Sequence, residues 1–228
     1  MKNLFKNLCV FAILLTVCSC EKQEIEQTDA ALHADQVLEQ DLKLVNPNNK
    51  VLKDETNAYD YVTNEEVPGA FSKLWRRNKE VSAVIHSTGL EAKAAYTVWM
   101  VFENPELCSD NSCGPDDIFD MDGMLLMNPY GTFGTLGVNV SVQWVDGKVI
   151  SASGNATFTF KAYENNPPGE VLFGPGLTAV MESEIHFVIR NHGQVIPDLL
   201  EMQISTFSGG CEINECTDEQ YAIHLAPS

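Results

Sequence analysis

The chain has 228 residues, 44% of them hydrophobic, and its 32 acidic against 14 basic side chains give a formal net charge of −18. A surface this acidic repels phosphate backbones, so nucleic acid is not an expected partner. The composition favours a solvated acidic surface or one that attracts cations.

The first twenty residues predict export followed by lipidation. Two lysines precede an apolar run from about residue 8 to 17, which is too short to hold a stable membrane span. The run ends in VCSC, Val17–Cys20, which resembles the lipobox of bacterial lipoproteins. This resemblance implies that residues 1–19 are removed as a signal peptide and that Cys20 carries the lipid. An ordinary signal peptide cleaved elsewhere is the alternative.

The residues after Cys20 indicate where the protein is expected to act. Glu21 and Glu24 resemble the acidic start of lipoproteins that are sent to an outer surface. We therefore expect a lipid-anchored protein of the outer membrane or cell surface, with a periplasm-facing position as the alternative. The expected partners are the membrane, through the anchor, and an unidentified surface ligand or protein.

Four cysteines remain once the signal peptide and Cys20 are set aside, and they form two C-x4-C pairs. Export leads to an oxidising compartment in which disulfides persist. The simplest pairing predicts the disulfides Cys108–Cys113 and Cys211–Cys216, each contributing about 2 kcal/mol by the loop-entropy model. Pairing between the two loops and a four-thiolate zinc site are alternatives, although zinc ribbons usually have shorter spacers.

Residues 20–74 predict a lipidated acidic tether that lies outside the core. From about residue 21 to 66 the chain is polar. A short helix over about residues 28–44 is the alternative, although its leucines make a poor stripe. The following segment, FSKLWRRNKE, is interpreted as a charged lead-in to the domain, with a seat for an acidic partner or a lipid headgroup as the alternative. Its basic residues are Lys73, Arg76, Arg77 and Lys79.

Residues 75–228 predict one all-β domain. Short runs alternate apolar with polar residues, are rich in Val, Ile, Thr and aromatic residues, and are broken by Gly, Pro, Asn and Asp. We expect an antiparallel, Greek-key-like β-sandwich with turns at VDGK, NNPPGE and FGPG. The expected strands lie near residues 81–88, 95–103, 136–145, 148–163, 184–191, 201–207 and 220–225.

Two resemblances support this fold class. The sequence GLEAKAAYTVWM places Leu90 six residues before Tyr96, with Val98 two further on. This spacing resembles the tyrosine corner of fibronectin type III and related Greek-key sandwiches, although Ala92 replaces the usual proline. Over residues 81–225, AYTVWMVFENPELC, CGPDD, EIHFVIRNHG, FSGGC and YAIH resemble a group of uncharacterised secreted bacterial proteins. The second resemblance implies only the extent and location of the domain.

Three histidines on different predicted strands are candidate ligands for one metal ion. His86, His186 and His224 each lie on the less apolar side of their strand. Three imidazoles from neighbouring strands would suit zinc or copper, with Glu182 or Glu184 orienting a ring. Such a cluster would make the protein a metal-binding protein or a metalloenzyme. Solvent-facing histidines are the alternative.

Arg190 and His192 are candidates for binding an anion. They lie two positions apart on one face of the same predicted strand, where a guanidinium fork beside a second donor would hold a carboxylate or sulfate. His192 is excluded as a metal co-ligand of His186, because a straight strand separates the two by about 20 Å.

The segment CGPDDIFDMDG gathers carboxylates ahead of Gly123 and predicts a calcium-binding loop. The spacing does not follow the EF-hand register, and a solvated acidic turn is the alternative. The carboxylates belong to Asp116, Asp117, Asp120 and Asp122.

Motifs of common enzyme classes are missing from the sequence: it has no G-x-S-x-G, no H-E-x-x-H, no phosphate-binding glycine loop and no C-x-x-C. An acidic-pair glycosidase stays compatible with the many carboxylates. We therefore expect a membrane-anchored binding or structural module with no assigned catalytic residue and no cofactor. Zinc, copper or calcium is the alternative.

Overall fold

The computed structural model describes residues 51–103, 141–174 and 176–227. Nine strands in these ranges form one sheet in which every pairing is antiparallel. The prediction of an antiparallel all-β domain is therefore confirmed. The strands are β1 (Val51–Asp60), β2 (Glu66–Arg77), β3 (Glu80–Ser87), β4 (Ala94–Glu103), β5 (Ser141–Val149), β6 (Ala156–Tyr163), β7 (Val171–Phe173), β8 (Glu184–Gln194) and β9 (Thr217–His224).

The sheet has the order β6-β3-β2-β1-β9-β8-β4-β5-β7 and curls into a half-barrel. One of its short junctions lies between β1 and β9, which pair only at Tyr59 with Tyr221 and at Asp60 with Gln220. The curl brings β6 over β8, where the rings of Phe160 and Phe187 lie 5.3 Å apart. The inner face of the half-barrel is therefore closed by contact between its two sides.

Apolar side chains fill the inner face of the half-barrel. They come from nearly every long strand and include both aromatic and aliphatic residues. Burying each of the larger ones stabilises the fold by about 1.5–3 kcal/mol. The largest members with no exposed surface are Leu74, Tyr96, Met100, Phe158, Phe187 and Ile185.

The sheet begins at Val51, so the expected tether does not extend to residue 74. β1 is mostly polar, and Ala58 is its one buried residue. Main-chain pairing with β2 on one side and β9 on the other holds it in the sheet. On β2 the inward-facing positions include the polar residues Ser72 and Arg76. The strand therefore lacks the usual alternation of apolar and polar residues by which a strand is predicted from sequence.

The segment expected as a strand at 201–207 instead forms helix α1, Leu200–Ser205, after a 3-10 turn at Pro197–Leu199. Its buried Gln203 accepts the N–H of Ile196 and donates to main-chain oxygens of β8. These hydrogen bonds to residues before the helix favour the helical conformation over the strand that the alternating sequence of this segment predicts. In the described ranges, no helix has the length and apolar character needed to cross a membrane.

The VDGK turn is also absent, because residues 145–148 continue β5. Pairing with β4 runs through this segment, from Trp144 opposite Trp99 to Val149 opposite Ala95. The chain reverses only after Val149, before β6 begins at Ala156. Long-range pairing therefore outweighs the local turn preference.

Candidate functional site

The structure does not bring His86, His186 and His224 together. Across β8 and β9, Ile185 pairs with His224 and His186 pairs with Ile223. Because paired residues share a face and successive residues alternate, His186 and His224 lie on opposite faces of the sheet. Within the described residues, these histidines do not form a group with metal-ligand spacing.

His86 is separate from both. It lies on β3, and the strands β2, β1 and β9 intervene between β3 and β8. Its Nδ1 lies 3.1 Å from Oγ1 of Thr157, and its ring packs 5.4 Å from that of Phe71. The contacts with Thr157 and Phe71 therefore account for the position of the His86 ring.

His224 instead joins a polar network on the inner face. Its Nδ1 lies 2.8 Å from Oδ2 of Asp54 and its Nε2 lies 2.9 Å from Oγ of Ser72. Burial is the main reason that the pKa of His224 falls from 6.5 to about 4, although Asp54 opposes the shift. The ring is thus neutral at pH 7, with Nδ1–H donating to Asp54 and Nε2 accepting from Ser72.

The order carboxylate, imidazole, hydroxyl is that of the serine hydrolase triad. A nucleophilic serine must reach a substrate carbonyl, however, and Ser72 has no exposed surface. His224 is equally buried, and only Asp54 reaches solvent. The network is therefore interpreted as a structural clamp that joins β1, β2 and β9.

Arg76 provides a second inward polar contact beside this network. Its guanidinium donates to four main-chain oxygens, those of Val180, Ser183, His224 and Leu225, at 2.8–3.2 Å. Burial lowers its pKa to about 10, so it remains charged at pH 7. Arg76 thereby holds β2 against the segment before β8 and the chain after β9.

The predicted anion site is not present, because the two side chains have other partners. Nη1 of Arg190 lies 2.7 Å from Oδ1 of Asp218, Nε donates to the Phe207 oxygen at 3.0 Å, and the guanidinium lies 4.1 Å above the Phe207 ring. His192 is completely buried. Its Nε2 lies 2.8 Å from Oγ1 of Thr97, and burial lowers its pKa. Neither group is available as part of an anion-binding fork.

The disulfide between Cys211 and Cys216 is present as predicted. Nδ1 of His192 lies 3.7 Å from Sγ of Cys216, and these three residues are the single group with metal-ligand spacing within the described ranges. The two sulfur atoms are bonded to each other, and Nδ1 lies 2.8 Å from the oxygen of Gly209. In the disulfide form this group therefore does not offer the thiolates that a metal would need.

Several predicted site residues lie outside the described residues, and their predictions stay as they were. They are the lipidation site Cys20, the second disulfide pair Cys108 and Cys113, and the calcium candidates Asp116, Asp117, Asp120 and Asp122.

Tyr96 makes the contact that the tyrosine-corner spacing predicts. Its hydroxyl accepts the N–H of Glu91, five residues upstream, at 3.0 Å and donates to Oε2 of Glu219 at 2.7 Å. Burial and the contact with Glu219 raise its pKa, so the phenol stays protonated. The similarity to a tyrosine corner is limited to this contact, and a relationship to the fibronectin type III family stays a prediction.

An aromatic surface on the outer face of the sheet was missed by the sequence reading. We name it the tyrosine patch: Tyr59, Tyr61, Val62 and Tyr221. The rings of Tyr59 and Tyr221 stack with centroids 5.7 Å apart, and Tyr61 stands at 90° to Tyr221 at 6.1 Å. Tyr61 is 41% exposed and Val62 is 83% exposed. Spacing in the sequence does not reveal this surface, because the pairing of β1 with β9 creates it.

The turn that carries the tyrosine patch is held by Asp60. Its Oδ1 accepts the N–H groups of Val62 and Thr63 at 2.9 and 2.7 Å. Main-chain bonds also join Asp60 to Glu65, and Tyr61 to Glu219 on β9. These bonds fix the position of Tyr61 and Val62 even though both are exposed.

A shallow depression of about 210 Å³ lies at the turn between β2 and β3. Its lining includes two basic residues, Arg77 and Lys79, and the exposed Tyr163. It differs from the tyrosine patch in charge, because two basic side chains line it beside the single carboxylate of Glu80.

No known protein family, curated protein or solved structure matches the chain.

Proposed function

We propose that the protein is a lipid-anchored, extracytoplasmic binding module that presents the tyrosine patch from a rigid β-domain. The observation that carries the proposal is the exposed aromatic surface on an ordered turn. Tyrosine is enriched in binding surfaces, where a rigid ring provides contact area at a low entropic cost. Tyr61 and Val62 meet this description.

The lipid anchor is supported by the lipobox at Val17–Cys20 and by the disulfide Cys211–Cys216. Disulfides persist in exported proteins and are rare in reducing compartments. The proposed location is accordingly the outer membrane or cell surface.

A binding role is favoured over catalysis by the burial of the reactive groups. Ser72 and His224 have no exposed surface, and apolar side chains fill the inner face around them. The metal-dependent alternative has no support from His86, His186 and His224, whose rings contact Thr157, Glu184 and Asp54, respectively.

The sheet geometry is compatible with a modified Greek-key sandwich. The narrow junction between β1 and β9 divides the sheet into two sides, β6-β3-β2-β1 and β9-β8-β4-β5-β7. Contact between Phe160 and Phe187 across the interior is the kind of packing that joins the two layers of a sandwich. We propose that the half-barrel is a sandwich whose layers remain joined along one edge.

The anchor is tested by expressing the full chain in a bacterium and labelling it with an alkyne analogue of palmitate. We expect label on the wild type, no label on Cys20→Ser, and unchanged label on the matched variant Cys18→Ser. Protease treatment of intact cells then tests surface exposure. An unlabelled wild-type protein released without detergent would overturn the anchor.

The binding role is tested on the same cells by Tyr61→Leu. We expect the anchored variant to keep its fold and membrane location but to lose capture of the ligand. Steady turnover of a small substrate, abolished by Ser72→Ala in a folded protein, would instead assign catalysis.

A further inference from the structure

We propose that the tyrosine patch binds a small molecule that carries a methylated ammonium group of the choline type. This inference rests on the proposed binding function and names its ligand class. Aromatic surfaces attract such cations through the negative faces of their rings.

Two of the rings meet edge to face at a right angle. Tyr61 and Tyr221 are perpendicular with centroids 6.1 Å apart, and Tyr59 supports Tyr221 by stacking on it. Val62 adds an exposed apolar side chain next to Tyr61 in the chain. A methylated ammonium suits this surface because its methyl groups make apolar contacts while its charge meets the rings.

The local charge favours a cation over a neutral ligand. The segment from Tyr59 to Glu66 carries three carboxylates and no basic side chain. On the neighbouring strand, Asp218 is close enough to contribute to the raised pKa of Tyr61, after the larger effect of burial. The nearby cation is Arg190, which already pairs with Asp218.

A quaternary ammonium needs fewer hydrogen-bond acceptors at this surface than a plain ammonium. Oδ1 of Asp60 accepts two turn N–H groups, and Oδ1 of Asp218 pairs with Arg190. A plain ammonium needs acceptors to replace its hydration. A quaternary ammonium has no N–H to satisfy, so the negative field and the ring faces suffice.

The test measures saturation-transfer NMR signals from choline on the full-length protein in a maltoside detergent, which has no ammonium group. The comparison ligand is 3,3-dimethyl-1-butanol, which has the shape of choline without its charge. We expect a saturable choline signal with a Kd on the order of millimolar and binding of the neutral analogue weaker by about threefold or more.

Variants locate the site. Tyr61→Leu and Tyr221→Leu are each expected to remove the choline signal, whereas Tyr61→Phe, which keeps the ring, is expected to retain it. Tyr163→Leu is the matched control, because Tyr163 is also 41% exposed but lies in a depression that Arg77 and Lys79 line together with Glu80. It should leave the signal unchanged.

Equal binding of the two ligands, or no choline binding at millimolar concentration, would overturn the inference. Binding of phosphatidylcholine vesicles without binding of free choline would also overturn it. None of these three outcomes affects the test of the lipid anchor by palmitate labelling. Conversely, if the chain is not lipidated but binds choline, the proposed anchor is refuted and the proposed ligand class is supported.

Discussion

Nδ1 of His224 lies 2.8 Å from Oδ2 of Asp54, so a side-chain hydrogen bond fastens β9 to β1 beyond their two main-chain pairs. The same ring reaches Ser72 on β2 through Nε2. One neutral imidazole thus connects three strands at the short junction between β1 and β9. The expected role of His224 is to stabilise the sheet.

Replacing His224 by alanine is expected to lower the free energy of unfolding by about 2–4 kcal/mol. The variant removes two hydrogen bonds and the packing of the ring against Phe187, 5.5 Å away. Urea unfolding measures the change. His86→Ala is the control, with an expected loss below about 1.5 kcal/mol, because His86 is only partly buried.

A fluorophosphonate probe tests the structural role of Ser72 in the same protein. The folded wild type is expected to remain unlabelled because the hydroxyl is buried. Labelling that disappears in Ser72→Ala would show that the triad-like network is reactive.

Stability is expected to fall as the pH drops from about 6.5 to about 4. The pKa of His224 is 6.5 in its ordinary state and about 4 in the fold, chiefly because of burial, with Asp54 opposing and Arg76 and His186 adding to the shift. Between these values the unfolded state binds more protons, so acid favours unfolding. The stability is fully present above about pH 6.5, and the loss by pH 4 is roughly 3 kcal/mol.

Urea unfolding at several pH values measures this dependence. His224→Gln should flatten most of the slope, because the amide does not titrate in this range. The lowered pKa values of His86 and His192 leave a smaller slope of the same sign. An unchanged slope in His224→Gln would assign the acid sensitivity to other groups.

Arg76→Met is expected to reduce stability by about 3–5 kcal/mol, since four carbonyl oxygens lose their donor and three of these bonds are buried. Arg76→Lys should recover only part of this, because one ammonium does not reproduce the guanidinium fork. Chemical denaturation gives the values. Lys79→Met, at an exposed position of the same basic segment, should stay within about 0.5 kcal/mol of the wild type.

Gly147→Ala is expected to displace helix α1 from the sheet. A Cβ at this position would lie 1.8 Å from the oxygen of Ile204, which accepts the indole N–H of Trp144. The clash involves main chain, so we expect a loss of about 2–3 kcal/mol and a changed tryptophan fluorescence.

Gly89→Ala is the control for the glycine variant. Its added Cβ meets no atom within 4 Å, but its φ of +73° is unfavourable for alanine. We expect a loss of about 1 kcal/mol and unchanged fluorescence. Equal losses in the two variants would show that the contact with Ile204 is unimportant.

The sequence by itself determined the features that depend on neighbouring residues. Period-two alternation predicted β3, β4, β8 and β9, and the C-x4-C spacing predicted the disulfide Cys211–Cys216. The lipobox prediction is of the same local kind. These signals are readable because strand alternation and short loop closure are properties of adjacent residues.

Only the tertiary structure decided which polar side chains are buried and which partners they have. Ser72, Arg76 and His224 look solvent-facing in the sequence, yet all three lie on the inner face with partners from distant strands. The tyrosine patch likewise depends on the pairing of Tyr59 with Tyr221. The alternation of side chains along a strand indicates that the strand has two faces. Long-range pairing determines which of these faces lies in the interior.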